Sequence, residues 1–122
     1  MPYFFYGIIF LRGIQMLKQL SKSSKKTLKT TSEIVSQRAI NNPRSFISII
    51  NTSSSGEILY VSDGEVAKAG EGIALYPGGI YQDTIVGTGG DPIYPSQDEI
   101  HVIASANTAT IAIMEKVVVR DN

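Results

Sequence analysis

The 122-residue chain contains no cysteine. Disulfides and thiolate metal sites are excluded, and composition favours neither redox environment. It contains one histidine, His101, so any imidazole chemistry must pass through that residue. Acid is almost missing from the first part of the chain. Residues 1–44 hold a single acid, Glu33, against eight Lys/Arg, a net charge of +7. No apolar run reaches the roughly 20 residues that a membrane-spanning helix needs. The nearest candidate, Met1–Leu17 (MPYFFYGIIFLRGIQML), is short and carries Arg12 and Gln15. No base precedes that run and SKSSKK follows it, an order unlike a secretory signal. Past residue 30 no segment with helical periodicity is needed, which leaves out the crossovers of a parallel sheet.

What is present divides the chain in two. Residues 45–122 hold three bases and ten acids, a net charge of −7, so the formal total of zero hides a strong asymmetry. A basic tail followed by an acidic module points to binding and assembly rather than to a reaction. Residues 1–29 read as a basic, partly apolar arm with six bases and no acid, extended or helical. Residues 30–122 read as one globular domain, large enough for a modest core without metal or disulfide. Three readings of the apolar segment stand. It is a membrane-touching anchor whose lysines meet anionic head groups. It is an arm that buries aromatic residues in a neighbouring subunit. Or it is an upstream extension of a chain starting at Met16. The arm residues expected to bind a partner are Tyr3, Phe4, Phe5, Tyr6, Phe10, Arg12, Lys18, Lys22, Lys25 and Lys26. The stretch 21–31 (SKSSKKTLKTT) reads as a solvated linker. Without interleaved aromatics it is poorly built for stacking on single-stranded nucleic acid.

The body reads as short strands between turns. The spacing predicts strands over 31–39, 45–51, 57–62, 80–86, 99–104 and 109–119. Asn41-Asn42-Pro43, Asp63-Gly64 and the glycines of 67–79 break the pattern, and 87–96 (GTGGDPIYPS) is a loop. The fold class is all-β: a single small antiparallel β-sandwich or jelly-roll-like domain behind an N-terminal arm.

Three pieces carry a resemblance: NPRSFISIIN (42–51), EILYVSDGEVAKAGEGIALYPGGIY (57–81) and DEIHVIASANTATIAIMEK (98–116). Over roughly residues 38–116 the chain resembles a family of small β-sandwich virion proteins. These are capsid-associated, fibre-base or tail components of bacterial and archaeal viruses. The closest piece is Gly72–Gly79 (GIALYPGG). There Leu75 is expected in the core and Pro77-Gly78 in a tight turn with positive φ at glycine. The arm and the GTGGDPIYPSQ insertion depart from the pattern. The resemblance implies a structural virion protein, located in the virion and not an enzyme. It would assemble with copies of itself and with other capsid proteins, and its arm would meet membrane or genome. It implies no cofactor and no small-molecule substrate. The alternative is a receptor- or glycan-binding module of a fibre or tail.

Other constellations are weaker. His101 lies near Asp98 and Glu99 in sequence, but a hydrolytic site also needs a nucleophile, so a strand-surface role is expected. Gly87-Thr88-Gly89-Gly90 lacks the Gly-Lys-Ser/Thr ending of a phosphate loop. Asp63, Glu65 and Glu71, or Asp91 and Asp98, would supply oxygen ligands to Ca²⁺ without EF-hand spacing. Tyr60, Tyr76, Tyr81 and Tyr94 would form a sugar-stacking face only if one sheet surface gathered them.

Overall fold

A computed structural model describes the backbone of residues 3–12, 15–39, 41–87 and 91–121, and the side chains of 18–39, 41–87 and 91–119. The described residues form nine strands: β1 (Tyr3–Arg12), β2 (Gln15–Leu28), β3 (Glu33–Ser36), β4 (Arg44–Asn51), β5 (Leu59–Asp63), β6 (Ile73–Leu75), β7 (Ile80–Thr84), β8 (Ile100–Ala104) and β9 (Ala109–Asp121). No helix occurs among the described residues. The strands make two antiparallel sheets, ordered β1-β2-β9-β4-β7 and β3-β8-β5-β6.

The wiring is nested. Strand β2 pairs with β9, β3 with β8, β4 with β7 and β5 with β6. From β2 onward, only the β5–β6 connection stays within one sheet. Consequently the loops gather at two ends. At the first end, Thr30 N–H donates to Asn107 Oδ1 at 3.0 Å and Ile58 N–H to Ser105 Oγ at 2.9 Å. At the second, Ala39 N–H donates to Gln97 O at 2.9 Å and Gly64 N–H to Glu99 O at 2.8 Å.

The core follows from alternation. In β4, Ile47 and Ile49 face inward with Ala109, Ile111 and Ile113 of β9 and Leu28 of β2. They meet Leu59, Val61, Leu75, Ile100, Val102 and Ala104 of the other sheet. Each large apolar side chain buried here contributes roughly 1.5–3 kcal/mol. Two sheets sharing one apolar core make the sandwich expected from the strand pattern.

The amino-terminal reading changes. Residues 15–28, expected within an arm and a solvated linker, are a strand of the sheet. Strand β2 pairs with β9 without a register break, from Met16↔Asp121 to Leu28↔Ala109. Leu28 is fully buried, and Gln19 and Ser21 are buried polar residues. Lysine and serine are poor strand formers, but context overrides propensity. β9, rich in β-branched residues, needs a partner on each edge, and β1 covers the far side of β2. Residues 15–28 therefore belong to the same sheet as β9, and β1 extends that sheet by one further strand. Smaller differences concern strand ends. β3 is shorter than 31–39, β6 forms inside the expected irregular stretch, and Val86 leaves β7 to bridge Ile93.

Candidate interaction surfaces

Two polar residues anchor the ends of β4, and both belong to the NPRSFISIIN piece. Arg44 at the second end is 1% exposed. Its Nη1 donates to Ser96 O at 2.5 Å and Asp98 O at 3.2 Å. Its Nη2 donates to Ser36 Oγ at 2.6 Å and Gln37 O at 2.8 Å. Its Nε makes no hydrogen bond but lies 3.7 Å from Glu115 Oε2. Gln97 closes the node, accepting from Arg44 N–H and donating to Arg44 O at 2.9 Å. Arg44 thus ties β3, β4, β9 and the segment before β8 together.

Asn51 does the same at the first end. Its Nδ2 donates to Glu57 O and Leu75 O, both at 2.8 Å, and its Oδ1 accepts from Ser53 N–H at 2.9 Å. Its backbone meets Gly78 and Gly79. The adjoining turn is as expected. Gly79 N–H donates to Tyr76 O at 2.7 Å, Gly78 has φ +84°, and Leu75 is buried. Proline followed by a positive-φ glycine is a type II turn. The residues of the resemblance are therefore mostly architectural.

Beside Asn51, Glu57 is buried with both oxygens bonded. Oε2 accepts from Thr108 Oγ1 at 2.6 Å and Oε1 from Ser55 N–H at 2.9 Å. The Thr108 hydroxyl, then its own N–H and that of Ser55, hold its carboxyl below the ordinary value, against partial desolvation. Tyr81 moves the other way. Burial raises its phenol, Asp63 and Asp83 add to the rise, and Arg44 opposes it.

The charge division is partly consumed inside the molecule. Alternation along β2 sends Lys18, Lys22 and Lys26 to the face of Leu28 and Lys25 to the opposite face. The expected basic handle is therefore split. Lys26 Nζ is 3.0 Å from Glu33 Oε2, and Lys22 stands opposite Glu115 in register. Arg38 lies 3.6 Å from Asp98. Such half-exposed pairs contribute little stability. Lys25 and Lys29 remain exposed near the first end. The loops of the second end carry Glu65, Glu71, Asp91, Asp98 and Glu99 against Arg38 and Lys68, so that end is acidic. The side chains of Tyr3, Phe4, Phe5, Tyr6, Phe10 and Arg12 lie outside the described residues. Their backbone forms β1, against β2.

The outer faces of the two sheets differ. Over the β3-β8-β5-β6 sheet, the β5–β6 loop reaches across, with Ala67 buried and its N–H donating to Ser32 Oγ at 2.9 Å. His101 lies on this face, opposite Ser62 and Ile34, and is 7% exposed. Its Nε2 is 2.9 Å from Glu99 Oε1, two residues away on the same strand. This is the strand-surface pair expected of it. On the outer face of the β1-β2-β9-β4-β7 sheet Gln19, Ser21 and Val118 are buried, while the part around Ile50 and Met114 is more exposed. Phe46, Ser48, Ile50, Ala112, Met114 and Lys25 line a shallow groove of about 410 Å³ there. Lys116 Nζ stands 5.0 Å from the Phe46 ring centroid, and Ile80 continues the apolar strip opposite Ile50. Sequence periodicity marked these residues as strand, but not which face they would line.

Tyr60 and Tyr81 are divided between the two sheets. Tyr60 is on the outer face of one sheet, Tyr81 packs against the core from the other, and Tyr76 is exposed in a turn. Among the described residues, no group of three or more His/Asp/Glu is placed to hold a metal ion, so Asp63, Glu65 and Glu71 do not form such a group. Thr88, Gly89 and Gly90 lie outside the described residues. Among those described, no helix is long and apolar enough to cross a membrane. No protein-family model matches the chain, and no curated protein matches it significantly.

Proposed function

We propose that this chain is a structural virion protein, a jelly-roll subunit that assembles with copies of itself or with other capsid proteins. The observation that carries the reading is the strand wiring. Strands β2 to β9 form two four-stranded layers, β2-β9-β4-β7 and β3-β8-β5-β6, as one long hairpin wound on itself. This wiring supports a jelly-roll reading, an arrangement that recurs in viral capsid domains, lectins and cupins. Three observations favour the capsid use. The centre of the space between the sheets is filled by isoleucine, leucine and valine, as suits a rigid structural module. Tyr60 and Tyr81, two of the tyrosines that would stack on a sugar, lie in different sheets. The apolar groove around Phe46, Ile50 and Met114 and large exposed apolar residues such as Ile93 (70%) and Tyr76 (63%) suit subunit contacts.

In this reading the tether is β1, outside the eight-stranded unit. Exposed Lys25 and Lys29 offer positive charge to a genome or a membrane lining. The test is made on particles produced by the genome that encodes the chain. The protein is expected in purified particles at many copies. A chain lacking residues 1–14 is expected to fold but to be lost from them. Absence of the full chain from particles would overturn the reading. Normal incorporation of the shortened chain would overturn the tether.

A further inference from the structure

We propose that β1 pairs with β1 of a second copy of this chain, antiparallel and centred on Gly7, joining two five-stranded sheets into one of ten. The argument begins with edges. A free edge presents unpaired N–H and C=O groups, so natural sheets keep edges short, irregular or charged. Three of the four edges here obey that rule. β6 has three residues, β3 has four with a register shift, and β7 has five including Asp83. β1 departs from it in length and charge, and is irregular only between Phe5 and Ile9. It has ten residues, YFFYGIIFLR, with no proline and a charge only at its last position. Among the described residues its second edge has no partner strand.

The partner is a second copy because the strand is complementary to itself. Centred on Gly7, antiparallel overlap runs from Tyr3 to Leu11, which contain no charge, and both Arg12 residues fall just beyond the ends. No like charges meet, and the contact is closed by a two-fold axis. The six pairs formed by Tyr3–Phe5 against Ile9–Leu11 on the two sides of the axis supply about six main-chain hydrogen bonds, within the range of an ordinary interface. β1 also departs from regular pairing with β2 between Phe5 and Ile9, around Gly7. A strand glycine often marks a bulge or the close approach of another backbone. This inference deepens the assembly reading by naming the partner and register, and it is tested in solution, apart from any particle.

The missing cysteines make the test clean. Single cysteines are placed from Tyr3 to Leu11 and the protein is oxidised. Opposed residues at a two-fold axis lie within disulfide reach. Cross-linking is expected to peak at Gly7→Cys and to fall toward both ends to the level of a Tyr60→Cys control. The uncrosslinked chain is expected to sediment as a dimer, and Gly7→Pro to halve its mass with the circular dichroism of the sandwich retained. A monomer at every concentration, or cross-links that do not centre within β1, would overturn the proposal. So would a monomeric chain that uses β1 only to bind lipid vesicles or another protein.

Discussion

Replacing Asn51 with alanine tests the idea that a single neutral side chain locks the first end of the sandwich. Asn51 is 1% exposed, and its amide makes three hydrogen bonds, to Glu57 O, Leu75 O and Ser53 N–H. Each is worth about 1 kcal/mol net, and orphaned partners plus a small void raise the sum to roughly 3–5 kcal/mol. Against a typical domain stability of 5–15 kcal/mol that is a large fraction. For a chain of this size it corresponds to a fall in Tm of roughly 10–20 °C. Guanidinium unfolding followed by circular dichroism measures it, with the midpoint expected to fall and the m-value to hold. Asn51→Asp sharpens the test. It keeps the oxygen facing Ser53 N–H but turns a second oxygen toward two carbonyls. The folded state then favours the protonated acid, so the folded pKa lies above the unfolded value of about 3.9. That variant should be most stable below this value and lose stability as pH rises through its folded pKa. A loss under about 1 kcal/mol for Asn51→Ala, with unchanged m-value, would refute the lock.

Gly70→Ala and Gly72→Ala should separate strain from clash. Both glycines have φ +81°, but a Cβ on Gly70 meets open space while one on Gly72 falls 2.5 Å from Val61 O. Gly70→Ala should cost about 1–2 kcal/mol and Gly72→Ala about 1–3 kcal/mol more, and equal losses in thermal unfolding would contradict this. Glu57, with its carboxyl pKa lowered, contributes stability above its ordinary value of 4.5 that is lost as pH falls through its lower folded value. Stability should therefore decline with acid below pH 4.5 in the natural chain and less steeply in Glu57→Gln. An NMR titration placing Glu57 at or above the ordinary value would contradict the assignment.

Sequence alone decided that this chain is all-β. The alternation of SFISIIN and EIHVIA, the β-branched run of 109–119 and the glycine and proline breaks each act within a few residues, so they are legible locally. For the same reason Leu75 in the core and the Pro77-Gly78 turn were legible. β2 was not. SKSSKKTL holds one core residue, Leu28, and becomes a strand because β9, some ninety positions away, lends it a ladder. Only the tertiary structure showed that Arg44 and Asn51 are end clamps, since their partners include Asp98 and Leu75, far along the chain. The charge division was plain in the sequence, but its meaning was not. Pairing β2 with β9, and β3 beside it, sets Lys22 opposite Glu115 and Lys26 against Glu33, so part of the asymmetry is satisfied within one subunit. Composition records how much charge a chain carries. Strand register decides which face each charge occupies and what stands opposite, because a period of two sends neighbours to opposite sides.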